Sequence, residues 1–187
     1  KLRLMPMEEN GRRCDWDRGL AHAHNWNTLQ RYGDCFEVLA TANTFQPHGL
    51  HYMWDQGRIH YTNDAIWFQP SAHIDEMMMK TWKPYVVKTT SSNDVLDITA
   101  KIDESEKELT LYIANLSGEP QTAILNIGNF KHKSRIEAYT IGNCELTDFN
   151  TYDNRDNVKF TPVAIKMKEK DTVYTFPKYS YTVITIK

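Results

Sequence analysis

The sequence predicts a mainly β protein: an antiparallel β-sandwich over residues 83–187, preceded over residues 1–82 by a β-α-β-α segment. Three observations carry this. Val95–Ile102, Leu109–Asn115 and Thr122–Ile127 alternate apolar and polar residues at period two, the pattern of half-buried strands. Turn residues separate them: Asp103-Glu104-Ser105, Ser117-Gly118-Glu119-Pro120, Gly128-Asn129 and Gly142-Asn143. Before residue 83 the order is instead apolar run, helix, apolar run, helix, which implies parallel strands.

Residues 1–8 read as a short buried strand. Asp15 then caps a helix running to about Tyr32, with Gly33 as its stop. This helix has no clean apolar stripe, so it is expected to be buried on more than one side. Cys35–Asn43 fits a second buried strand, and a loop rich in His, Gly and aromatics follows from Phe45 to about Asn63. Pro70 starts a second helix, about Ser71–Trp82, which Pro84 ends. The sandwich strands begin at Val86–Thr89. After the three alternating runs come Arg135–Thr140, Val163–Met167, Thr172–Phe176 and Tyr181–Ile186, about eight strands in all.

Composition excludes several classes. The 187 residues carry 22 Lys+Arg against 24 Asp+Glu, a net charge of -2, without the basic excess of a nucleic-acid binder. No apolar run approaches the ~20 residues of a membrane-spanning helix. Cys14, Cys35 and Cys144 are odd in number and widely spaced, which argues against a disulfide framework and leaves room for one chance pair, so the compartment stays open between cytoplasmic, periplasmic and secreted. The chain opens on Lys1 rather than Met, and a lone β-α-β-α unit cannot cover both faces of its strands. Both facts read as a piece of a longer protein.

Four residue sets could carry chemistry. Met7-Glu8-Glu9-Asn10-Gly11 places carboxylates just past a parallel strand. Neighbouring strand residues point to opposite sides, so only one of Glu8 and Glu9 can face a site; a water-exposed turn pair is the plainer alternative. The seven histidines include His22-Ala23-His24 and His48-Gly49-Leu50-His51, but no metal motif and no paired cysteine spacing accompany them. No metal or other cofactor is expected. Asn43, Phe45, Gln46, His48, Tyr52, Trp54, Tyr61 and Trp67 combine aromatic faces with amides, as sugar sites do, though core packing accounts for most tryptophans. Cys14 stands beside Arg12 and Arg13, which would lower a thiol pKa, but no base accompanies it.

The order of these pieces resembles the end of the catalytic barrel of family 51 α-L-arabinofuranosidases, followed by their C-terminal sandwich. Leu2–Asn10, then Asp15-Trp16-Asp17 through Gly33-Asp34, then Val38–Asn43 is similar to a nucleophile strand, its helix and the eighth strand. Ile66-Trp67-Phe68-Gln69-Pro70 resembles the lead-in to the last barrel helix, and Phe176–Ile184 the close of the sandwich. The resemblance implies a TIM-barrel remnant over 1–82 and a jelly-roll-like sandwich over 83–187. It implies retaining hydrolysis of arabinofuranosides by two carboxyl groups. Glu8 matches the nucleophile, with Glu9 as the alternative. Asn10 matches the family's Asn two residues on, Asn43 stands where a strand-end Gln contacts the sugar, and Trp54 is a further substrate-binding candidate. In the family the general acid follows an Asn on an upstream strand. No Asn-Glu pair occurs here, so the chain alone is expected to be inactive. Implied partners are an arabinose-containing oligo- or polysaccharide, the missing N-terminal barrel part, and a second copy through exposed strand edges. The other reading is a non-catalytic carbohydrate-binding or structural sandwich, with Tyr112, Tyr139, Tyr152 and Tyr174 as candidate exposed aromatics.

Overall fold

The computed structural model describes residues 2–49, 55–131, 135–166 and 171–187. The chain divides into two compact units, Lys1–Glu76 with Glu145–Lys159, and Met77–Cys144 with Phe160–Lys187. The sequence boundary at 82/83 does not anticipate that residues 145–159 return to the first unit. No helix among the described residues is long and apolar enough to cross a membrane.

The first unit is built around α1 (Trp16–Arg31). Asp15 caps it, its carboxylate accepting from the Arg18 N–H at 3.4 Å. The returning segment satisfies two more free N–H groups at this end: Trp16 donates to the Asp148 carbonyl and Asp17 to that of Leu146, both at 2.8 Å. Trp16, Leu20 and Ala23 are buried along one side of α1, and Arg18 and His22 along another, so the helix is covered widely, as its missing stripe predicts.

The segments flanking α1 pair in parallel at Leu4↔Phe36 and Glu9↔Thr41. The parallel arrangement agrees with the β-α-β order, but neither segment is a continuous buried strand. Leu2 is 81% exposed and Met7 68%. Pro6 has no N–H to donate, so only its carbonyl joins the ladder, accepting from Ala40 at 3.0 Å. The expected loop after Asn43 holds a small sheet instead. β1 (Phe45–Pro47) runs parallel to β2 (Ile59–Tyr61), which pairs antiparallel with β3 (Ile66–Phe68). Helix α2 (Pro70–Thr81) follows, starting at its proline.

Asn150 ties the returning segment in place. Its N–H donates to Gln69 Oε1 (3.0 Å), its carbonyl accepts from Gln69 Nε2 (2.8 Å) and Trp67 Nε1 (3.1 Å), and its amide bonds Phe68 and Val158 backbone. Asn150 and Gln69 are buried, and this set of bonds satisfies both amides without water.

The second unit is the sandwich. β4 (Tyr85–Val87), β5 (Leu96–Ile102), β6 (Leu109–Asn115), β7 (Gln121–Asn126), β8 (Ile136–Ile141), β9 (Thr161–Pro162), β10 (Asp171–Phe176) and β11 (Ser180–Ile186) follow one another. Six form an antiparallel sheet in the order β4-β5-β6-β11-β8-β9, and β10 pairs with β7. The core lies between the sheets: Leu96, Ala100, Leu109, Leu111, Ile113, Ala138, Ile184 and Ile186 from one, Leu125 and Phe176 from the other. The strand expected at Val163–Met167 is replaced by the two-residue β9. Pro162 interrupts the ladder there, and Val163 adds one bond to Ala138 at 2.9 Å; Met167 lies outside the described residues.

Phe176 is fully buried, whereas Ile124 is 70% exposed. Phe176→Ala is expected to lower unfolding stability in urea by about 3–5 kcal/mol, and Ile124→Ala to change it by no more than about 0.5 kcal/mol. Equal effects of the two would contradict the placement of the core.

Candidate active site

All the site residues expected from sequence that are described lie in the first unit, at the ends of the two parallel segments. Trp54 lies outside the described residues. Asn43 is exposed one residue past Ala42, and Asn10 is exposed beside Glu8.

The two glutamates have different surroundings. Glu9 pairs with Thr41 in the parallel bridge, and its carboxylate reaches α1. Its Oε2 lies 3.1 Å from His22 Nδ1, and Asn25 Nδ2 donates to Oε1 at 3.4 Å. Burial pushes the Glu9 carboxyl up, but the hydrogen bond and charge of His22, with Arg18 and Asn25, outweigh it and hold it below the ordinary value. Glu8 is exposed and accepts one bond from Asn10 Nδ2 at 2.7 Å. Alternation along the segment sends its side chain away from the Glu9 side.

Behind Glu9 is a chain of polar groups, His22 and Arg58 among them buried, that sequence reasoning missed. His22 Nε2 lies 2.8 Å from Asp75 Oδ1, which also accepts from Trp26 Nε1 at 2.9 Å. Asp75 Oδ2 is paired with Arg58 Nη2. Arg58 also donates to the Ser71 carbonyl at 3.2 Å. Burial lowers the Arg58 pKa to about 10, assisted by the nearby Arg18 charge and opposed by Glu9. Arg18, one turn before His22 on α1, donates to the Ala42 carbonyl at 2.6 Å and to that of Gln56. Helix α1 therefore holds both segment ends, one through His22 and one through Arg18. The i, i+4 spacing of Arg18 and His22 is a signal the sequence does contain.

A second cluster tests the expectation of no metal. Cys14 Sγ, an Asp55 oxygen and a His60 ring nitrogen lie within 4.8 Å of one another. Gln69 decides its chemistry. Asn150 fixes the Gln69 amide, so an N–H of Gln69 faces His60 Nδ1 at 3.2 Å. Nδ1 accepts, and the neutral ring carries its proton on Nε2, towards Asp55 Oδ1 at 3.8 Å. A metal would need the lone pair of that nitrogen, so the set fits a cation poorly. The expected thiol activation is also overturned: burial, with Asp55 and Asp15 adding to it, pushes Cys14 up to about 12. Arg12 and Arg13 are exposed and do not offset this.

The four tyrosines named as candidates for a binding sandwich do not form an exposed row on it. Tyr112 is fully buried, with its hydroxyl bonded to the Thr81 carbonyl at 2.9 Å. Tyr174 and Tyr139 pack edge-on against Phe176 and Phe160. Tyr152 lies in the first unit.

The family described as α-L-arabinofuranosidase C-terminal domain matches residues 7–180. Among solved structures, an arabinose-bound GH51 α-L-arabinofuranosidase aligns with 94% of this chain at TM-score 0.84 and 17% identity. The thermostable GH51 enzyme of Thermotoga petrophila aligns with 99% at TM-score 0.81 and 17% identity. The Thermotoga maritima α-L-arabinofuranosidase, an arabinose complex, aligns with 98% at TM-score 0.77 and 19% identity. This chain spans 28%, 43% and 40% of those three chains. At such identities the likeness is one of fold. No curated protein matches the chain.

Burial pushes His22, His60 and His73 of the first unit below their ordinary value of 6.5. The unfolded chain then takes up protons first, so their contribution to stability is complete above about pH 6.5 and is lost as pH falls. Glu9, held below its ordinary 4.5, adds a further loss at more acid pH. Trp16, Trp26 and Trp67 lie in this unit and Trp82 in the other, so in a Trp82→Phe variant tryptophan fluorescence follows the first unit. Its thermal midpoint is expected to be lower at about pH 5.5 than at about pH 7.5. A midpoint that stays level or rises on acidification would contradict this assignment.

Proposed function

The chain belongs to the α-L-arabinofuranosidase C-terminal domain family, and on that premise we propose that it is the C-terminal part of a retaining α-L-arabinofuranosidase. In this reading residues 1–82 are the last β-α units of a (β/α)8 barrel and residues 83–187 are the sandwich that supports it. The substrate class is terminal arabinofuranosides on plant oligo- and polysaccharides. The observation that carries the site assignment is the unequal fate of two adjacent carboxylates. Glu9 is held by His22 and Asn25, while Glu8 is exposed at the end of a parallel segment with Asn10 on its carboxylate. Active-site groups of barrel enzymes stand at such carboxyl ends.

Glu8 then attacks the anomeric carbon and forms a covalent glycosyl-enzyme. A second carboxyl, about 5–5.5 Å away, protonates the departing oxygen and afterwards activates water. Asn10 orients the Glu8 carboxylate through its amide N–H. Asn43, at the end of the neighbouring segment, is placed to meet a sugar hydroxyl. The second carboxyl comes from the preceding barrel part, since this sequence holds no Asn-Glu pair.

Assayed on an aryl α-L-arabinofuranoside, the 187-residue chain by itself is expected to show no turnover. The complete gene product is expected to be active, and Glu8→Gln to lower its kcat by about 10⁴-fold or more. Proton NMR of the first-formed sugar is expected to show the substrate's own anomeric configuration. An inverted product, or full turnover by the isolated chain, would overturn the reading.

A further inference from the structure

We infer that His22 is a positioning residue for this reaction: by holding Glu9 against α1, it decides which of the two adjacent glutamates is presented to substrate. The inference rests on the proposed role of Glu8. Two neighbouring carboxylates at a segment end are interchangeable in sequence, and a segment paired only at isolated bridges does not by itself fix its side-chain directions. A rotation of one residue would exchange Glu8 for Glu9. What opposes the exchange is the anchor beneath Glu9.

That anchor is well built. The His22 side chain is completely buried. One ring nitrogen faces Glu9 at 3.1 Å and the other faces Asp75 at 2.8 Å. Trp26 Nε1 donates towards His22 Nε2 at 3.0 Å and also to Asp75, itself paired with Arg58, so Nε2 accepts and the ring proton sits on Nδ1, facing Glu9. Turning Glu9 outward would take from the buried His22 ring its acceptor on that side, and unpartnered buried groups are costly. Turning Glu8 outward costs nothing comparable, because its one partner, Asn10, is exposed beside it. The same helix holds the neighbouring segment end through Arg18 and the Ala42 carbonyl, so Glu8 and Asn43 share one support.

The test is made in the complete gene product. His22→Ala is expected to lower kcat about 100-fold, the cost of a misplaced reacting group, while KM moves by less than about threefold. Added imidazole is expected to restore part of the lost kcat, which a role confined to stability would not allow. Glu9→Ala is expected to lose as much as His22→Ala, and Glu9→Gln, which keeps an acceptor for the ring, to recover most of it. These two variants decide the matter if His22→Ala does not fold. Wild-type kcat in Glu9→Ala, or equal losses in Glu9→Ala and Glu9→Gln, would overturn the inference. Glu8→Gln separates this from the parent reading. An active Glu8→Gln beside an inactive Glu9→Gln removes the nucleophile assignment itself. An inactive Glu8→Gln beside wild-type kcat in His22→Ala and Glu9→Ala removes only the role of His22.

Discussion

The first unit depends on a chain of polar contacts running from Glu9 through the buried His22 and then Asp75 to Arg58. His22 and Arg58 would be expensive to bury alone, and each is tolerable because a carboxylate faces it. The chain of contacts joins the first parallel segment, α1, the residue before β2 and α2, four pieces of sequence spread over residues 9–75. It does what a hydrophobic core does elsewhere, but with direction. Apolar contacts would accept small shifts of register; a carboxylate seated on an imidazole does not. The unit presents a defined end of the first segment because its polar interior is specific, not because its apolar interior is large. Several of its apolar residues, Leu2, Met5 and Met7 among them, are instead exposed.

The sandwich reaches order by the more common route. Its core is an apolar cluster between two antiparallel sheets, and polar side chains close its turns. Asp103 accepts from the Lys107 and Glu108 N–H groups at 2.7 Å each and closes the turn between β5 and β6; its pKa is held down to about 2, first by the Ser105 hydroxyl. Asn115 organises the turn after β6 through the Glu119 and Pro177 carbonyls. Its ion pairs, Lys83–Glu108, Glu108–Lys187, Lys187–Glu137 and Glu137–Arg135, are partly or largely exposed, and none of its side chains is assigned a chemical step.

The sandwich was readable because period-two alternation and Gly-, Asn- and Asp-bearing turns are local signals, and seven of its expected strands stand near their expected places. Asp15 and Pro70 mark their helix starts for the same reason: a cap acts within one turn. What could not be read depends on distant partners. The short sheet β1 to β3 has strands of three residues, too brief for a periodic signal. The return of residues 145–159 is carried by Asn150 meeting Gln69, eighty-one positions apart. The direction of Glu9 depends on His22, and that of His22 on Asp75. From sequence one could say that only one glutamate faces the site; which one is a tertiary fact. Cys14 failed in the opposite sense, since the sequence shows its arginine neighbours and hides the burial and carboxylates that dominate.

The central claim is that Glu8, and not Glu9, is the carboxylate offered to substrate. The most direct measurement is covalent trapping in the complete gene product with a mechanism-based arabinofuranose inactivator, followed by mass-spectrometric mapping of the peptide spanning residues 4–12. The account predicts a single sugar ester on Glu8 and an unlabelled Glu9. An ester on Glu9, or trapping on a residue outside this segment, would contradict it.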